Sequence, residues 1–194
     1  MKETALNQLR SKLKAGRVYR RAELAAWSSN VDRHLKALVN EGVLTKLQNG
    51  LYYRPKQSSF GAVPPVDEEL LKTFLETDEF LAYSPNTFNS LGLGTTQLYH
   101  LAIVLNPKRH GILKVGDRYF HFVRKRFIPK QLTKEVLLVE LLNNLKRMAE
   151  ERDRVLETVN RKIAEYDNAT LQTAARRYGT YSTQKFLNQR MTGY

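Results

Sequence analysis

Asn30, Arg33, His34, Lys36 and Ala37, with Ser29 just ahead of them, gather a carboxamide, a guanidinium, an imidazole, an ammonium and a bare methyl group within a few residues. These group types read base edges in a DNA groove. A guanidinium pairs bidentately with guanine, a carboxamide pairs with adenine, and alanine lets the backbone approach or touches a thymine methyl. Arg33 is therefore a candidate guanine reader, Asn30 an adenine reader or phosphate ligand, and Ala37 the point of close approach. That chemistry requires the groups to share exposed faces. Val31, Leu35, Leu38 and Val39 fall at helical spacing, so a helix over Asn30 to Glu41 turns them inward and leaves Asn30, Arg33, His34, Lys36, Ala37 and Asn40 outside. The plainer alternative is a solvated helix used for protein contacts. Arg17, Arg20, Arg21, Lys46 and Arg54, with Gln48 and Asn49 beside a turn, are candidate backbone contacts, because gripping a phosphate needs charge rather than a planar fork. Arg20 and Arg21 serve equally well as an ordinary helix start.

The elements that must position these groups are short. Leu6, Leu9 and Leu13 mark an amphipathic first helix closed at Gly16, and Arg17-Val18-Tyr19 follows as an extended piece. Arg20 to Trp27 is rich in helix formers and places Leu24 and Trp27 on one face. Ser28-Ser29 ends that helix, and their hydroxyls are expected to accept from the free N–H groups opening the next one. Gly42 stops the second helix of the pair. Asn49-Gly50 then predicts a tight hairpin with positive φ between Thr45-Lys46-Leu47 and Leu51-Tyr52-Tyr53. Together residues 1–56 predict a winged helix-turn-helix DNA-binding domain, with the hairpin as its wing.

Charge agrees with a polyanionic partner. The chain has 32 Lys plus Arg against 19 Asp plus Glu, a formal balance of +13, which attracts nucleic acid and makes binding salt-dependent. Along the chain, residues 1–56 hold 12 basic and 4 acidic side chains, so the excess is read as concentrated there. With 42% apolar and 10% aromatic residues the chain can build real cores, which argues against disorder throughout. It has no cysteine, which excludes disulfides, thiolate metal sites and a cysteine nucleophile. The amino terminus lacks an apolar signal region and no long apolar run occurs, so a cytoplasmic protein without a membrane partner is expected.

Breakers organise the rest. Residues 57–66, with Pro64-Pro65 following Pro55, lack any period and read as an ordered or semi-extended linker. Residues 67–194 are then expected as an α+β domain with a small, mainly antiparallel sheet and long C-terminal helices. It comprises a helix over about 67–77, a strand at Phe80 to Tyr83 and a helix opened by Ser84-Pro85 and closed at Gly92. A strand over Leu98 to Leu105 follows, then a hairpin of Ile112 to Val115 and Arg118 to Val123 about Gly116-Asp117. From Leu132 a helical pattern runs through Leu145 and on as a charged continuation to about Tyr166, expected to project into solvent or pack on a partner. Two further helices are expected near 168–178 and 182–191. No internal repeat is evident.

The run "RHLKALVNEGVLTKLQNGLYYRP" resembles the amino-terminal winged helix of AbiE-type antitoxin regulators, the repressor-antitoxins of bacterial type IV toxin–antitoxin systems. "FLAYSPNTFNSLGLGTTQLYHLAIVLNPKRHG" and "PKQLTKEVLLVELLNNL" are similar to the second domain of an uncharacterised bacterial family grouped with those antitoxins, and "ARRYGTYSTQKFLNQRM" is a looser echo. The resemblance covers about residues 1–148. It implies a winged helix that binds inverted repeats in its own promoter, and a second domain that counteracts a nucleotidyltransferase toxin. The partners implied are double-stranded DNA and that toxin, with the protein a monomer or weak dimer that is cooperative on DNA.

The second domain offers Lys108, Arg109 and His110 in one turn, and Arg124, Lys125 and Arg126 at the end of a strand interleaving Tyr119, Phe120 and Phe122 with His121. Basic residues beside aromatics suit nucleic acid. The alternation equally describes a strand packed on both faces with charged turns, and that is the preferred reading. Gly92-Leu93-Gly94-Thr95-Thr96 lacks the lysine and preceding strand of a phosphate loop, so it reads as a helix cap and turn. Asp67-Glu68-Glu69 and Asp78-Glu79 could hold a divalent metal for a nuclease only if they converged, and the four histidines show no ligand spacing. The expectation is a transcriptional regulator without enzyme activity, cofactor or metal. The alternatives are a stand-alone repressor whose second domain senses a ligand and, third, a nucleic-acid-processing enzyme.

Overall fold

The computed structural model describes residues 4–96 and 98–191. Met1, Lys2 and Glu3, which open the amino terminus, Gln97, within the run compared above, and residues 192–194 lie outside the described residues. The fold is α+β and divides into two compact units, Met1–Asp78 with Leu113–Tyr119, and Glu79–Ile112 with Phe120–Tyr194.

In the first unit α1 (Ala5–Lys12) is capped by the Thr4 hydroxyl, which accepts from the Asn7 N–H, and Leu9 and Leu13 turn inward. Then follow β1 (Val18–Arg20), α2 (Arg21–Ala25), α3 (Val31–Asn40), β2 (Thr45–Gln48) and β3 (Leu51–Tyr53). The sheet order is β1-β3-β2 and both pairings are antiparallel, with Val18 opposite Tyr53 and Lys46 opposite Tyr52. Leu9, Leu13, Tyr19, Leu24, Val31, Leu35, Leu38 and Leu44 form the core, and Trp27 meets Tyr19 edge-on at 6.0 Å.

Three details differ from the sequence reading. Arg20 ends β1, paired with Leu51 in the ladder, and stands at the N-cap of a helix that stops at Ala25, short of Trp27. Asn49 does not take positive φ; Gly50 alone does, at +77°, and the register slips between Lys46 and Gln48, so the turn is bulged. The stretch expected as a linker is a hairpin of β4 (Lys56–Ser58) and β5 (Gly61–Val63), reversed where Gly61 takes φ +105° and tied by the Tyr53 hydroxyl donating to Val63 O at 2.8 Å.

The next helix, α4 (Asp67–Leu75), also belongs to the first unit. Glu69 accepts from the Val18 N–H at 3.1 Å, and Arg20 donates to the Thr73 and Phe74 carbonyls at 3.3 Å while pairing with Glu76 at 3.0 Å. A boundary near residue 56 misses these long-range bonds.

The second unit holds β6 (Leu81–Tyr83), a 3-10 turn over Pro85–Leu91 and β7 (Ala102–Asn106); β8 (Gly111–Val115) and β9 (Arg118–Arg124), whose Leu113–Tyr119 portion is counted with the first unit, complete a sheet of order β6-β7-β9-β8. β6 and β7 are antiparallel but β7 and β9 are parallel, so the sheet is mixed. β9 takes the inner place because its Phe120 and Phe122 are fully covered there, whereas β8 carries the exposed Ile112. Phe120 and Phe122 bury one face of β9; on the other, Val123 packs against the core and His121 is half-buried, and only its start, at Tyr119, is exposed. β7 starts at Ala102, not Leu98, because the Asn86 side chain occupies both backbone groups of Tyr99, at 3.0 and 2.7 Å.

α5 (Lys134–Asn144) is apolar almost all round and runs through the core, capped by the Thr133 hydroxyl. The helix expected to continue to Tyr166 breaks at Met148, which is extended, and α6 (Arg152–Lys162) returns to bury Val155, Val159 and, just beyond it, Ile163. α7 (Asn168–Tyr178) and α8 (Tyr181–Met191) close the chain. Among the described residues no helix is long and apolar enough to cross a membrane.

One charged pair lies inside the second unit. Lys125 donates to Glu140 at 2.7 Å and to Tyr178 O at 2.8 Å, and Glu140, 1% exposed, also accepts from Tyr83 and Asn143. Burial and the neighbouring carboxylate hold the Tyr83 phenol far above its ordinary range, so it stays a donor. Removing one partner strands the other in a low-dielectric site. Glu140→Leu is expected to cost about 3–5 kcal/mol in urea unfolding, with much of it recovered when Lys125→Met is added; equal loss in both variants would contradict the pairing.

Candidate nucleic-acid interface

α3 exposes a stripe of Arg33, Lys36 and Asn40, with Ala37 half-buried among them, opposite the buried Val31, Leu35 and Leu38. Spacings of three and four residues put these four side chains on one face. Arg33 and Lys36 have no side-chain partner among the described residues, so their charge is available to a ligand. Asn30 stands at the N-cap with φ −110° and ψ 45° and makes no side-chain capping bond; Ser29 is exposed beside it.

Neither serine caps the helix. Ser28 is buried and its hydroxyl lies 2.7 Å from His34 Nδ1, which ties His34 to the end of α2 and removes that nitrogen from the outward face. Arg21 is also committed. It grips Asp32 through two bonds, at 2.7 and 2.6 Å, and its guanidinium holds the Asp32 carboxyl below the usual carboxylate range. The Arg21 N–H donates to Gly50 O at 2.8 Å. The amino end of α2, the first turn of α3 and the Gly50 turn therefore share one edge of this unit, with exposed Asn49 and half-buried Gln48 at the turn and exposed Lys46 on β2.

The other expected phosphate contacts fall elsewhere. The Arg54 N–H donates to Arg17 O and Arg54 O accepts from the Gly16 N–H beside Val18 and Tyr53, the opposite end of the three-residue strands and about 10 Å from the Gly50 turn. Arg17 pairs with Glu23 at 3.0 Å, and Arg20 is taken up by α4. An open cleft of about 910 Å³ runs past these groups, lined by Arg17, Arg20, Glu23, Glu69, Lys72 and Glu76. The acids once weighed as metal ligands are spread apart: Asp67 pairs with Arg118, Glu69 with a backbone N–H, and Asp78 with Lys72 at 2.5 Å.

The second basic set divides in the same way. Lys125 is the buried partner of Glu140, not a surface cation. Asn106 holds the 108–110 turn by accepting from the Lys108 and Arg109 N–H groups, and His110 Nδ1 accepts from Arg124 N–H at 3.5 Å. Burial and Arg147 keep His121 below the ordinary imidazole range, so its Nε2 faces Arg147 at 3.0 Å as an acceptor. Arg126 is exposed over Phe127, and Arg177 covers the same ring. Phe127 and Arg177 escaped the sequence reading because neither carries a motif. Their signal was the absence of acids around them.

Charge also redistributes between the units. With α4 and its acids in the first unit, that unit holds 15 basic and 10 acidic side chains, and the second holds 17 and 9. The excess read as belonging to residues 1–56 is shared, with more of it in the second unit.

A family described as a family of unknown function, DUF6088, matches residues 7–172. The chain belongs to that family. The match runs through both units and ends in the first turns of α7. No curated protein matches the chain. Among solved structures, the crystal structure of the RV2827C protein from Mycobacterium tuberculosis is similar, with a TM-score of 0.56 and 14% identity over 96% of this chain and 74% of that one. At that identity the likeness is one of fold, and it extends over nearly the whole of this DUF6088 chain.

The division between committed and available cations has a direct check. Arg20→Met is expected to lower stability by about 1–2 kcal/mol, since it strips two carbonyls and an acid of their donor. Lys36→Met should stay within about 0.5 kcal/mol of the parent by urea unfolding. Equal effects would refute the division.

Proposed function

We propose that this DUF6088 protein is a sequence-specific DNA-binding transcriptional regulator whose first unit is a winged helix-turn-helix, with α3 as recognition helix and the Gly50 turn as wing. The order helix, strand, helix, helix, strand, strand, with β3 between β1 and β2, supports the assignment. The observation that carries it is the unpaired stripe of Arg33 and Lys36 with Ala37 and Asn40, beside a helix start and a turn on one edge of the unit. Arg33 reads a guanine, Asn30 and Asn40 are placed for adenine or phosphate, and Lys36, Lys46 and Asn49 hold the backbone. Arg21 and His34 support that surface from behind, and Arg17, Arg20 and Arg54 take no part.

The motifs shared with AbiE-type antitoxins support a second role as the autoregulating antitoxin of a type IV system, acting in the cytoplasm on inverted repeats and opposing a nucleotidyltransferase toxin without a cofactor. In the second unit the cavity beside Ile163 and Leu171 and the one beside Leu142 and Phe186, of about 230 and 120 Å³, are smaller than the usual small-molecule site and lend ligand sensing no support there.

In gel-shift titrations against the chain's own upstream region, Arg33→Ala should lose about 1–3 kcal/mol and relax preference at one base pair. Lys46→Ala should weaken all duplexes alike and flatten the dependence of log K on log salt by about one. Binding by the parent that ignores sequence would sink the specificity claim. Co-expression with a neighbouring nucleotidyltransferase should relieve growth arrest, and failure there would remove the antitoxin half while leaving the repressor intact.

A further inference from the structure

We infer that the second unit carries a binding site for single-stranded nucleic acid, built on the exposed ring of Phe127 and the guanidiniums of Arg126 and Arg177. Phe127 is 45% exposed, with Arg126 Cζ 5.3 Å and Arg177 Cζ 5.4 Å from its ring centre. Arg177 also lies 5.8 Å from the Tyr178 ring. Both arginines are exposed, and no carboxylate pairs with either among the described residues.

Two acid-free stretches meet here. Residues 120–134 contain Arg124, Lys125, Arg126, Lys130 and Lys134 without one Asp or Glu, and residues 168–194 contain Arg176, Arg177, Lys185 and Arg190, again without an acid. Lys125 ties them by reaching the Tyr178 carbonyl, and the carboxylate it meets there, Glu140, is buried and satisfied by that lysine. The patch is therefore positive.

The side-chain types choose the occupant. Arginine offers a plane and a fork, where lysine would offer only charge, and the exposed part of Phe127 adds a π surface beside the two guanidiniums. A duplex presents phosphates but keeps its bases stacked. A single strand presents phosphates and free bases together, which is the combination that cationic and aromatic groups jointly recognise. An acidic peptide would satisfy the arginines and leave the ring without a role. This site does not depend on the α3 reading, since it lies in the other unit.

The test uses the full chain and labelled oligouridylate and oligothymidylate of about 20 nucleotides in fluorescence anisotropy, longer than the usual site size for a single strand. Both strands should bind, with preference for one separating RNA from DNA as the source. Phe127→Leu, which keeps apolar bulk but has no stacking face, should weaken binding about tenfold or more. Arg126→Gln with Arg177→Gln should flatten the log K against log salt slope by about 1.4, at roughly 0.7 per charge. Phe127→Trp should show fluorescence quenched by the bound strand above the constant background of Trp27. Arg33→Ala should leave all of this unchanged. Unaltered binding by Phe127→Leu, an unquenched Phe127→Trp, or displacement of the strand by polyglutamate or duplex DNA as readily as by unlabelled strand would each overturn the proposal. If Phe127→Leu melts early, the quench decides alone.

Discussion

Burial of Val31, Leu35 and Leu38 against Leu9, Tyr19, Leu24 and Leu44 is the constraint on which the reading surface depends. Three buried side chains spaced by four and three residues fix the rotation of α3 about its axis, because turning the helix would bring Arg33 or Lys36 into an apolar core at a cost of several kcal/mol. The outward stripe is thus a by-product of hydrophobic packing. It needs no further device to aim it, and the Arg21–Asp32 grip only fixes where its amino end stands relative to α2. The grip is wholly exposed, so its value lies in geometry more than in stability.

Cations in this chain separate into those the fold consumes and those it leaves. Arg20 serves the end of α4, where its donors meet carbonyls a helix leaves unsatisfied. Lys125, largely covered, is held by the Glu140 carboxylate and the Tyr178 carbonyl. A formal charge of +13 therefore overstates what a partner meets at any one place. What matters for a polyanion is the local balance of unpaired groups, and that balance is set by where the acids fold. α4 brings Asp67, Glu68 and Glu69 to the first unit, which tempers its surroundings while α3 keeps Arg33 and Lys36 free of them.

Much of this was legible in residue order, and the failures have identifiable causes. Helical spacing located α1, α3, α5, α7 and α8, and Gly42, Gly50, Gly92 and Gly116 marked turns because those backbones sit at positive φ. Spacing cannot register a long-range bond, so the reading of residues 57–66 as a linker missed the hairpin tied by Tyr53, and the start of β7 was misplaced by the Asn86 clip on Tyr99. Nor can it show the order of strands. The parallel β7–β9 pair arises because the two buried phenylalanines of β9 claim the inner position, a choice that only the assembled sheet reveals. At the candidate surface the faces of α3 were readable, but the private partnerships of His34, Arg20 and Lys125 were not, since a salt bridge or capping bond leaves no periodic trace.

The break after α5 carries the same lesson into the second unit. A polar surplus beyond Met148 suggested a projecting arm, yet Val155, Val159 and Ile163 are spaced by four, and three apolar residues on one face of a charged helix suffice to draw it back onto the core. The returning helix contributes to one continuous apolar cluster that also holds α5, α7 and α8. With that cluster filled, the chemistry left to the second unit lies on its surface, and there the uneven scatter of acids matters more than the total of bases. Six acids occupy residues 150–167 and none the 27 that follow, so the positive field belongs to α7, α8 and the strand end that Lys125 binds to them.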